Sequence, residues 1–542
     1  MILTIIIAVA FCTWRIGRRL HFFAHIFQLE AYKAANYLDW VRSRFGDVVL
    51  RVSHRLAVTW IVIVILLQIS LDGILPTALI PGFYLLWAMT FASSRRYRRD
   101  QPKKPLVFTF RMKRLLALSA GLSLALVVAG ALPATGLSGW RAAVLFLAGF
   151  LAADFLAPFS LYAASILLHP VETSIQYGFK RAARKKLSAR PDLDIIAVTG
   201  SYGKTSVKFA VEEVLAHRFS VLATPNSYNT PMGVCKVVNN DLSPAHQVLI
   251  LEMGIRNPGD IEELCLIATP KIALVTSVGV AHLESMGSTA AIAHEKGSLL
   301  RFTRSDGYAV LNADDEQVRA MAKQFPGETW LVSCENHPDA HIRASEIHYG
   351  PEGSAFQASD ESGASIQMHT RLVGRHNVTN ILMAIAVGRI YGLRLRQIAQ
   401  AVSRLTPVPH RLAVRREGAI TVIDDAFNSN PVGARNAVEI LGQLEARKRF
   451  IVTPGMIELG ERQDEENRLL GRHIAKNVDV AILVGERRTY AIAEGLREAD
   501  FPDQNIQVVQ SLFEAKDFLN GALESGDAVL FENDLPDQFN ES

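Results

Sequence analysis

Leu193-Asp194-Ile195-Ile196-Ala197-Val198-Thr199 followed by Gly200-Ser201-Tyr202-Gly203-Lys204-Thr205-Ser206 decides the fold. The first seven residues are a short apolar run of the kind that forms a buried strand. Two glycines then frame a turn, and a helical pattern continues through His217. Strand, glycine turn, Lys-Thr and helix is the layout of a phosphate-binding loop. Glycines let backbone N–H groups approach phosphate oxygens, and a helix N-terminus adds positive potential. Lys204 can reach β and γ phosphates, and Thr205 offers a hydroxyl to Mg²⁺. The spacing is shorter than G-x-x-x-x-G-K-[ST], because Val198 stands five residues before Gly203. A chance glycine turn could be spelled the same way. The strand before it and the helix after it favour phosphate binding.

Downstream, apolar runs alternate with helical patterns. Val248–Leu251 leads into Glu252, and 258–267 is helical in pattern. Ile272–Thr276 precedes a helix over 289–302, and Tyr308–Leu311 one over 315–325. This alternation predicts a doubly wound parallel sheet with ligands at strand C-termini. Glu252, His282, Asn312 and Asp314 fall there. One such residue is an ordinary strand end. Four of them behind a phosphate loop form a metal–nucleotide constellation.

The 542 residues suffice for three or four domains of about 150 residues. With 49% hydrophobic and 20% charged residues the chain is neither disordered nor collagen-like. Its net charge of +4 is a sum of unlike halves: +17 over residues 1–190 and −13 over 191–542. The basic half holds apolar stretches at 1–14, 56–71, 74–92, 115–133 and 141–168. A crossing helix needs about 20 apolar residues, so these predict about five spans over 1–170. Met1–Trp14 lacks the basic start and small-residue cleavage site of a signal peptide, and is read as a retained span. Arg and Lys crowd segments 15–55 and 93–114 and the run Lys180, Arg181, Arg184, Lys185, Lys186, while the connections near 72–75 and 134–140 have none. With the N-terminus outside, all three basic segments face the cytoplasm. Membrane lipids are their expected partner, not nucleic acid, since no aromatic-basic module accompanies them. Asp154, inside the fifth stretch, is left between a helix–helix contact and a place near the interface. Cys12, Cys235, Cys265 and Cys334 have no metal-ligand spacing and fit a reducing compartment.

The ordered motifs of residues 192–531 resemble the Mur ligase superfamily, which includes the peptidoglycan amide ligases, folylpolyglutamate synthetase and cyanophycin synthetase. Gly200–Ser206 matches the family's short loop. Asn226–Gly233 resembles its Asn-rich segment and Glu252-Met253-Gly254 its acidic turn. Ala281-His282-Leu283-Glu284 matches the metal-ligating His segment, and Lys296 the lysine that relatives often carry carbamylated. Asn312–Asp315, Gly374–Asn380, His410-Arg411, Asp424–Pro431 and Met456–Gly460 follow in order.

The apolar stretches predict an α-helical membrane region over 1–170, and the resemblance implies that α/β domains follow it. These are a P-loop, parallel-sheet central ATP-binding domain over 192–405 and a smaller Rossmann-like C-terminal domain over 406–542, with 171–191 as a basic linker. It implies an ATP-dependent, amide-forming ligase with ATP and Mg²⁺ as cofactors, whose substrates are a carboxylate-bearing peptide or amino acid and an amine. The carboxylate becomes an acyl phosphate, which the amine then attacks; the negative charge gathered there calls for cations. By the resemblance the catalytic set is Lys204, Glu252, His282 and Lys296, and the metal set Thr205, Glu252 and His282. Lys296 is either a carbamate supporting the metal or a cation for the acyl phosphate. Nucleotide contacts fall to Gly200, Ser201, Tyr202, Gly203, Lys204, Thr205 and Ser206, to Asn312, His376 and Asn377 at the adenine, to Asp425 at the ribose and to Arg411 at a phosphate. Asn428 is read as functional and Asn380 as structural.

Two departures stand out. Membrane spans occupy the place where relatives keep a UDP-sugar-binding domain. The last strand runs into Glu532-Asn533-Asp534, where the peptidoglycan ligase of nearest pattern has Lys-Gly-Ser. The reading is therefore a multi-pass protein of the cytoplasmic membrane, with ligase domains in the cytoplasm and a cell-wall peptide precursor as substrate. A poly-γ-glutamate-type synthetase and a non-catalytic nucleotide-binding scaffold are the alternatives.

Overall fold

The computed structural model describes residues 2–49, 55, 58, 59, 62, 63, 65, 66, 105–137, 140–279, 283–350, 353–407, 412–426, 431–457 and 459–533. They form a helical unit within residues 1–175 and an α/β unit within 176–535.

The helical unit contains α1 (Ile2–Leu29), α2 (Ala34–Ser43), α3 (Phe110–Ala134), α4 (Trp140–Phe155) and the first part of α5 (Ala157–Ser188). Cys12, Ile16, Leu20, Phe23 and Phe27 recur at helical spacing on α1 and pack with Tyr37, Val41, Met112, Leu115, Phe150 and Leu161. Thr109 caps α3, its hydroxyl accepting from Met112 N at 3.2 Å. Gly130 and Gly149 let α3 and α4 touch: a Cβ on Gly130 would lie 2.9 Å from Gly149 Cα. Among the described residues one helix, Phe110–Ala134, with mean hydropathy 2.3, is long and apolar enough to cross a bilayer, or two if a bent pair counts as one span. That pair begins in the stretch 141–168, expected as a single fifth span, and runs on to Ser188. It breaks at Leu156, and its halves meet at 66°. The expected spans 56–71 and 74–92 lie outside the described residues, apart from scattered helical positions in the first. The basic positions 93–104 lie outside them as well. The first stretch does not stop at Trp14 but continues as helix to Leu29. Arg15 and Arg19, expected in a solvated segment, are fully buried against Asp154.

The central domain is built on one nine-stranded sheet: β1 (Asp194–Thr199), β2 (Val221–Ala223), β3 (Val248–Glu252), β4 (Ile272–Val275), β5 (Tyr308–Asn312), β6 (Glu328–Ser333), β7 (Ile342–Gly350), β8 (Gly353–Asp360) and β9 (Ser365–Thr370). The order is β2-β3-β1-β4-β5-β6-β7-β8-β9. Strands β1 to β6 are parallel. Between them run α6 (Lys204–Ala216), α7 (Pro231–Asn240), α8 (Asp260–Ile267), α9 (Leu283–Met286), α10 (Thr289–Phe302) and α11 (Glu316–Ala320). Helices α12 (Arg375–Ile390) and α13 (Leu395–Val402) follow β9. Side chains of β1 alternate between two cores. Ile196 and Val198 pack with Val207, Val211, Ile381 and Leu382, while Ala197 joins Val234, Leu264 and Leu299 on the other face. The sheet is mixed, not wholly parallel, because β7, β8 and β9 pair antiparallel at its edge. Along β8 burial alternates, with Phe356 and Ala358 inward, so this edge is covered on one face only. Residues 171–188, expected as a linker, are helical as the end of α5, and Ala183 and Leu187 enter the core with Leu193.

The C-terminal domain holds β10 (Ala413–Glu417), β11 (Ile420–Asp425), β12 (Arg449–Thr453), β13 (Val480–Val484), β14 (Ile506–Val509) and β15 (Ala528–Glu532), in the order β10-β11-β15-β12-β13-β14. Only β10 is antiparallel to its neighbour. Helices α14 (Pro431–Gln443), α15 (Gln463–Ala475), α16 (Tyr490–Glu498) and α17 (Leu512–Ala522) cover the sheet.

Candidate functional site

Strand β1 ends inside the sheet, and the chain must turn within four residues to start α6. Gly203 makes that turn at φ 81°, left-handed backbone that a Cβ would strain. A Cβ on Gly200 would collide with Thr276 Oγ1, and one on Gly203 with Asn380 Oδ1. The loop is stitched to the β4 end: Ser201 N donates to Ser277 O at 2.8 Å, Tyr202 N to Ser277 Oγ at 3.1 Å, and Gly279 N to Ser201 Oγ at 2.8 Å. Lys204 Nζ donates to Gly200 O at 2.8 Å and to Ser201 O at 3.3 Å, so the ammonium lies across the loop.

Thr205 and Glu252, expected as metal ligands, meet: Thr205 Oγ1 donates to Glu252 Oε2 at 2.8 Å. Asn229 Nδ2 donates to the other carboxylate oxygen at 3.1 Å. Buried Lys208 places Nζ 3.7 Å from Glu252 Oε2 and also donates to Asn226 O. Sequence reasoning missed Lys208. The available signal was a second lysine four residues after Lys204, within an otherwise apolar helical face. His282 lies outside the described residues, and among the described residues no group of three His, Cys, Asp or Glu side chains gathers for a metal.

Lys296, on α10, is 1% exposed. Burial, and then the charge of Lys204, push its pKa well below the ordinary lysine value, with Glu295 opposing. The shift is toward the uncharged amine. Glu295 is itself engaged, accepting from Gly259 N at 3.0 Å and Ile261 N at 2.9 Å at the start of α8.

These residues fit a phosphate-bearing nucleotide on two structural grounds. The loop is a cradle that a Cβ would fill, and Asn380 presents a buried Nδ2 with no hydrogen-bond partner beside Gly203. The amide expected to be structural is thus set against the loop itself.

Residues 198–388 match the Mur ligase middle domain, and residues 410–532 the Mur ligase glutamate ligase domain. The UDP-N-acetylmuramoyl-tripeptide–D-alanyl-D-alanine ligase of Mycobacterium leprae is 33% identical over 369 residues, 63% of this chain and 71% of that protein. The chain belongs to the Mur ligase family. The Mycobacterium tuberculosis ligase of the same name is 38% identical over 299 residues, 54% of this chain, which spans 58% of that relative's length. MurF of Thermotoga maritima, solved in complex with ADP, superimposes with a TM-score of 0.59 at 26% identity, over 66% of this chain and 80% of that one. MurF of Acinetobacter baumannii gives 0.60 at 24% identity, over 68% and 78%.

The other expected contacts of this Mur ligase are dispersed. Asn312 Nδ2 donates to Thr276 O at 3.1 Å, and its Oδ1 accepts from Asp314 N at 3.1 Å. Asp314 accepts from Ser333 Oγ and Cys334 N. Both residues therefore brace the ends of β4, β5 and β6. Asn377 Nδ2 donates to Val373 O at 2.9 Å, and Asn377 borders a small cleft with Ser206, Phe209, Leu405 and Thr406. His376 lies 3.4 Å from Asn436 of α14, where the C-terminal domain meets α12, and burial lowers its pKa to about 4. Asp425 Oδ1 accepts from Leu412 N at 3.0 Å, which ties β11 to the start of the C-terminal domain. His410, Arg411 and Asn428 lie outside the described residues. At the end of β15, buried Glu532 accepts from Thr453 Oγ1 at 2.7 Å, and Asn533 Nδ2 donates to Gly455 O at 2.7 Å. Glu532 and Asn533 are thus packed into the domain.

Proposed function

We propose that this Mur ligase is a membrane-anchored, ATP-dependent carboxylate–amine ligase acting through an acyl phosphate on a cell-wall peptide precursor. The convergence of Lys204, Thr205, Glu252 and Lys296 from three separate segments carries this reading. ATP supplies the phosphoryl group and Mg²⁺ screens its charge; the loop amides and Lys204 would hold the phosphates, and Thr205 with Glu252 the metal. Asn229 and Lys208 keep the Glu252 carboxylate oriented. Burial and the charge of Lys204 shift Lys296 toward the uncharged form that takes up carbon dioxide, and as a carbamate it would add an anion to the site. His376 and Asn436 make a polar contact between the two domains, in the first turn of α12 beside Asn377.

The relatives' names supply the first substrates to try. Purified full chain with ATP and Mg²⁺ should release phosphate when UDP-N-acetylmuramoyl-tripeptide and D-alanyl-D-alanine are both present, and not with either alone. A product that keeps growing with glutamate would favour a polymer synthetase. No turnover with any pair, and no change on Lys204→Ala, would leave the scaffold.

The same proposal places the chain in the cytoplasmic membrane as a multi-pass protein with its α/β domains in the cytoplasm. Helix Phe110–Ala134 and the basic segments support it. Extraction of the intact chain from membranes by alkaline carbonate would refute it.

A further inference from the structure

The helical unit buries charge for which ligase chemistry has no use. Arg15, Arg19 and Asp154 all have side chains fully removed from solvent. Arg15 Nε donates to Asp154 Oδ2 at 3.0 Å, a close charge-assisted bond. Arg19 is held more loosely. Its Nε lies 3.6 Å from Asp154 Oδ1, and its guanidinium carbon sits 5.3 Å from the Phe23 ring centroid. None of Arg19's three side-chain nitrogens has a hydrogen-bond partner. Tyr37, which faces it from α2, has its hydroxyl engaged by Pro158 O at 3.0 Å.

The three groups together carry one net positive charge. A guanidinium presents five N–H donors and no acceptor. Buried in an apolar bundle with those donors unmet, it is strongly unfavourable unless an anion joins it. The planar fork suits phosphate oxygens in a two-point contact. A phosphate diester carries a single negative charge, which matches the excess. The face of α3 leaves Leu124, Val128 and Leu132 exposed, so the surface around the unit is apolar. An anion attached to acyl chains is suited to approach such a surface.

We propose that Arg19 anchors a phosphate-ester site in the helical unit, in which an anionic phosphate oxygen joins Arg19 alongside Asp154 and neutralises the cluster. Phospholipid as the source of that phosphate rests on the membrane reading above; the anion site itself does not, and it is independent of ligase turnover.

The test is native mass spectrometry of the full chain in maltoside detergent, titrated with dioleoylphosphatidylglycerol, with dioleoylglycerol (which lacks the phosphate) or with inorganic phosphate. Wild type should retain phosphatidylglycerol and not dioleoylglycerol. Arg19→Met should weaken that binding about tenfold or more, the scale of a lost charged hydrogen bond. Exposed Arg18→Met, on the same helix, should not. Arg19→Met replaces an unpaired buried charge by an apolar side chain of similar length, a change that buried ion clusters tolerate. If it nevertheless fails to fold, Arg19→Lys keeps the charge, loses the fork and should still weaken binding. Inorganic phosphate binding with the same Arg19 dependence would keep the site and make its source soluble. Equal binding by wild type and the Arg19 variants, equal binding of dioleoylglycerol, or no binding to wild type overturns the proposal. Because the readout is bound phosphate, a failure of the ligase reading would leave it unchanged.

Discussion

Two regions of this chain bury acidic and basic side chains together, and they do so differently. In the α/β unit Glu252 is held at both oxygens, by Thr205 and Asn229, with Lys208 3.7 Å away. In the helical unit Asp154 is shared by two arginines, and Arg19 keeps three nitrogens without hydrogen bonds. A satisfied network fixes side chains in place before any ligand arrives, whereas an unsatisfied one gains most from a ligand. The first pattern suits a site that must orient a metal and phosphates. The second suits a site that captures an anion.

The largest break would come at the loop. Lys204→Ala removes the ammonium that spans Gly200 and Ser201 and should lower phosphate release about a thousandfold, the scale of losing one preorganised charge donor. Its folding should be little changed, because Lys204 is only partly buried. Phosphate release alongside thermal unfolding checks both halves, and a drop under about tenfold would remove Lys204 from the phosphate site.

Next comes Lys296. The amine is fully buried and its pKa is lowered, so ¹³C-bicarbonate should give a carbamate signal in ¹³C spectra that Lys296→Arg lacks. The signal should fade as the pH falls, because the amine is then protonated. A signal that survives the substitution, or turnover unaltered by it, would return Lys296 to a core lysine.

Third is the satisfied network itself. Glu252→Gln leaves Lys208 buried without its carboxylate and should cost about 3 kcal/mol, the scale of breaking a buried pair. Adding Lys208→Met should recover much of that stability in urea unfolding without restoring turnover. Equal stability of the single and double variants would mean that the pair is not coupled.

Legibility in sequence followed the same division. The strand, loop and helix over 194–216 are contiguous, so their pattern is local and was readable in full. Thr205 and Glu252 were readable because each ends or begins an element, although they stand 47 residues apart. The Lys208–Glu252 pair was not, since nothing in a helical lysine says which strand end it will face. Nor was the antiparallel edge β7–β9, whose one-sided burial is set by what covers it. The Arg15–Asp154 bond spans 139 residues. Read locally, Arg15 and Arg19 resemble the solvated residues that follow a span, and only the packing of α4 against α1 turns them inward.

The smallest effect tests a contact between the two α/β domains. His376 meets Asn436 at 3.4 Å, and burial lowers its pKa to about 4 from an ordinary 6.5. Below about pH 6.5 the unfolded chain takes up the proton while the folded one does not until about pH 4. Stability from this group is thus fully present above pH 6.5 and falls as the pH drops toward 4, by about 2–3 kcal/mol. His376→Gln keeps a hydrogen-bonding side chain and removes the titration. Melting temperatures followed from pH 7 to 4 should therefore converge, with wild type losing more than the variant. Parallel curves would show that the imidazole stays solvated. The domain contact at α12 would then be looser than the Glu252 network.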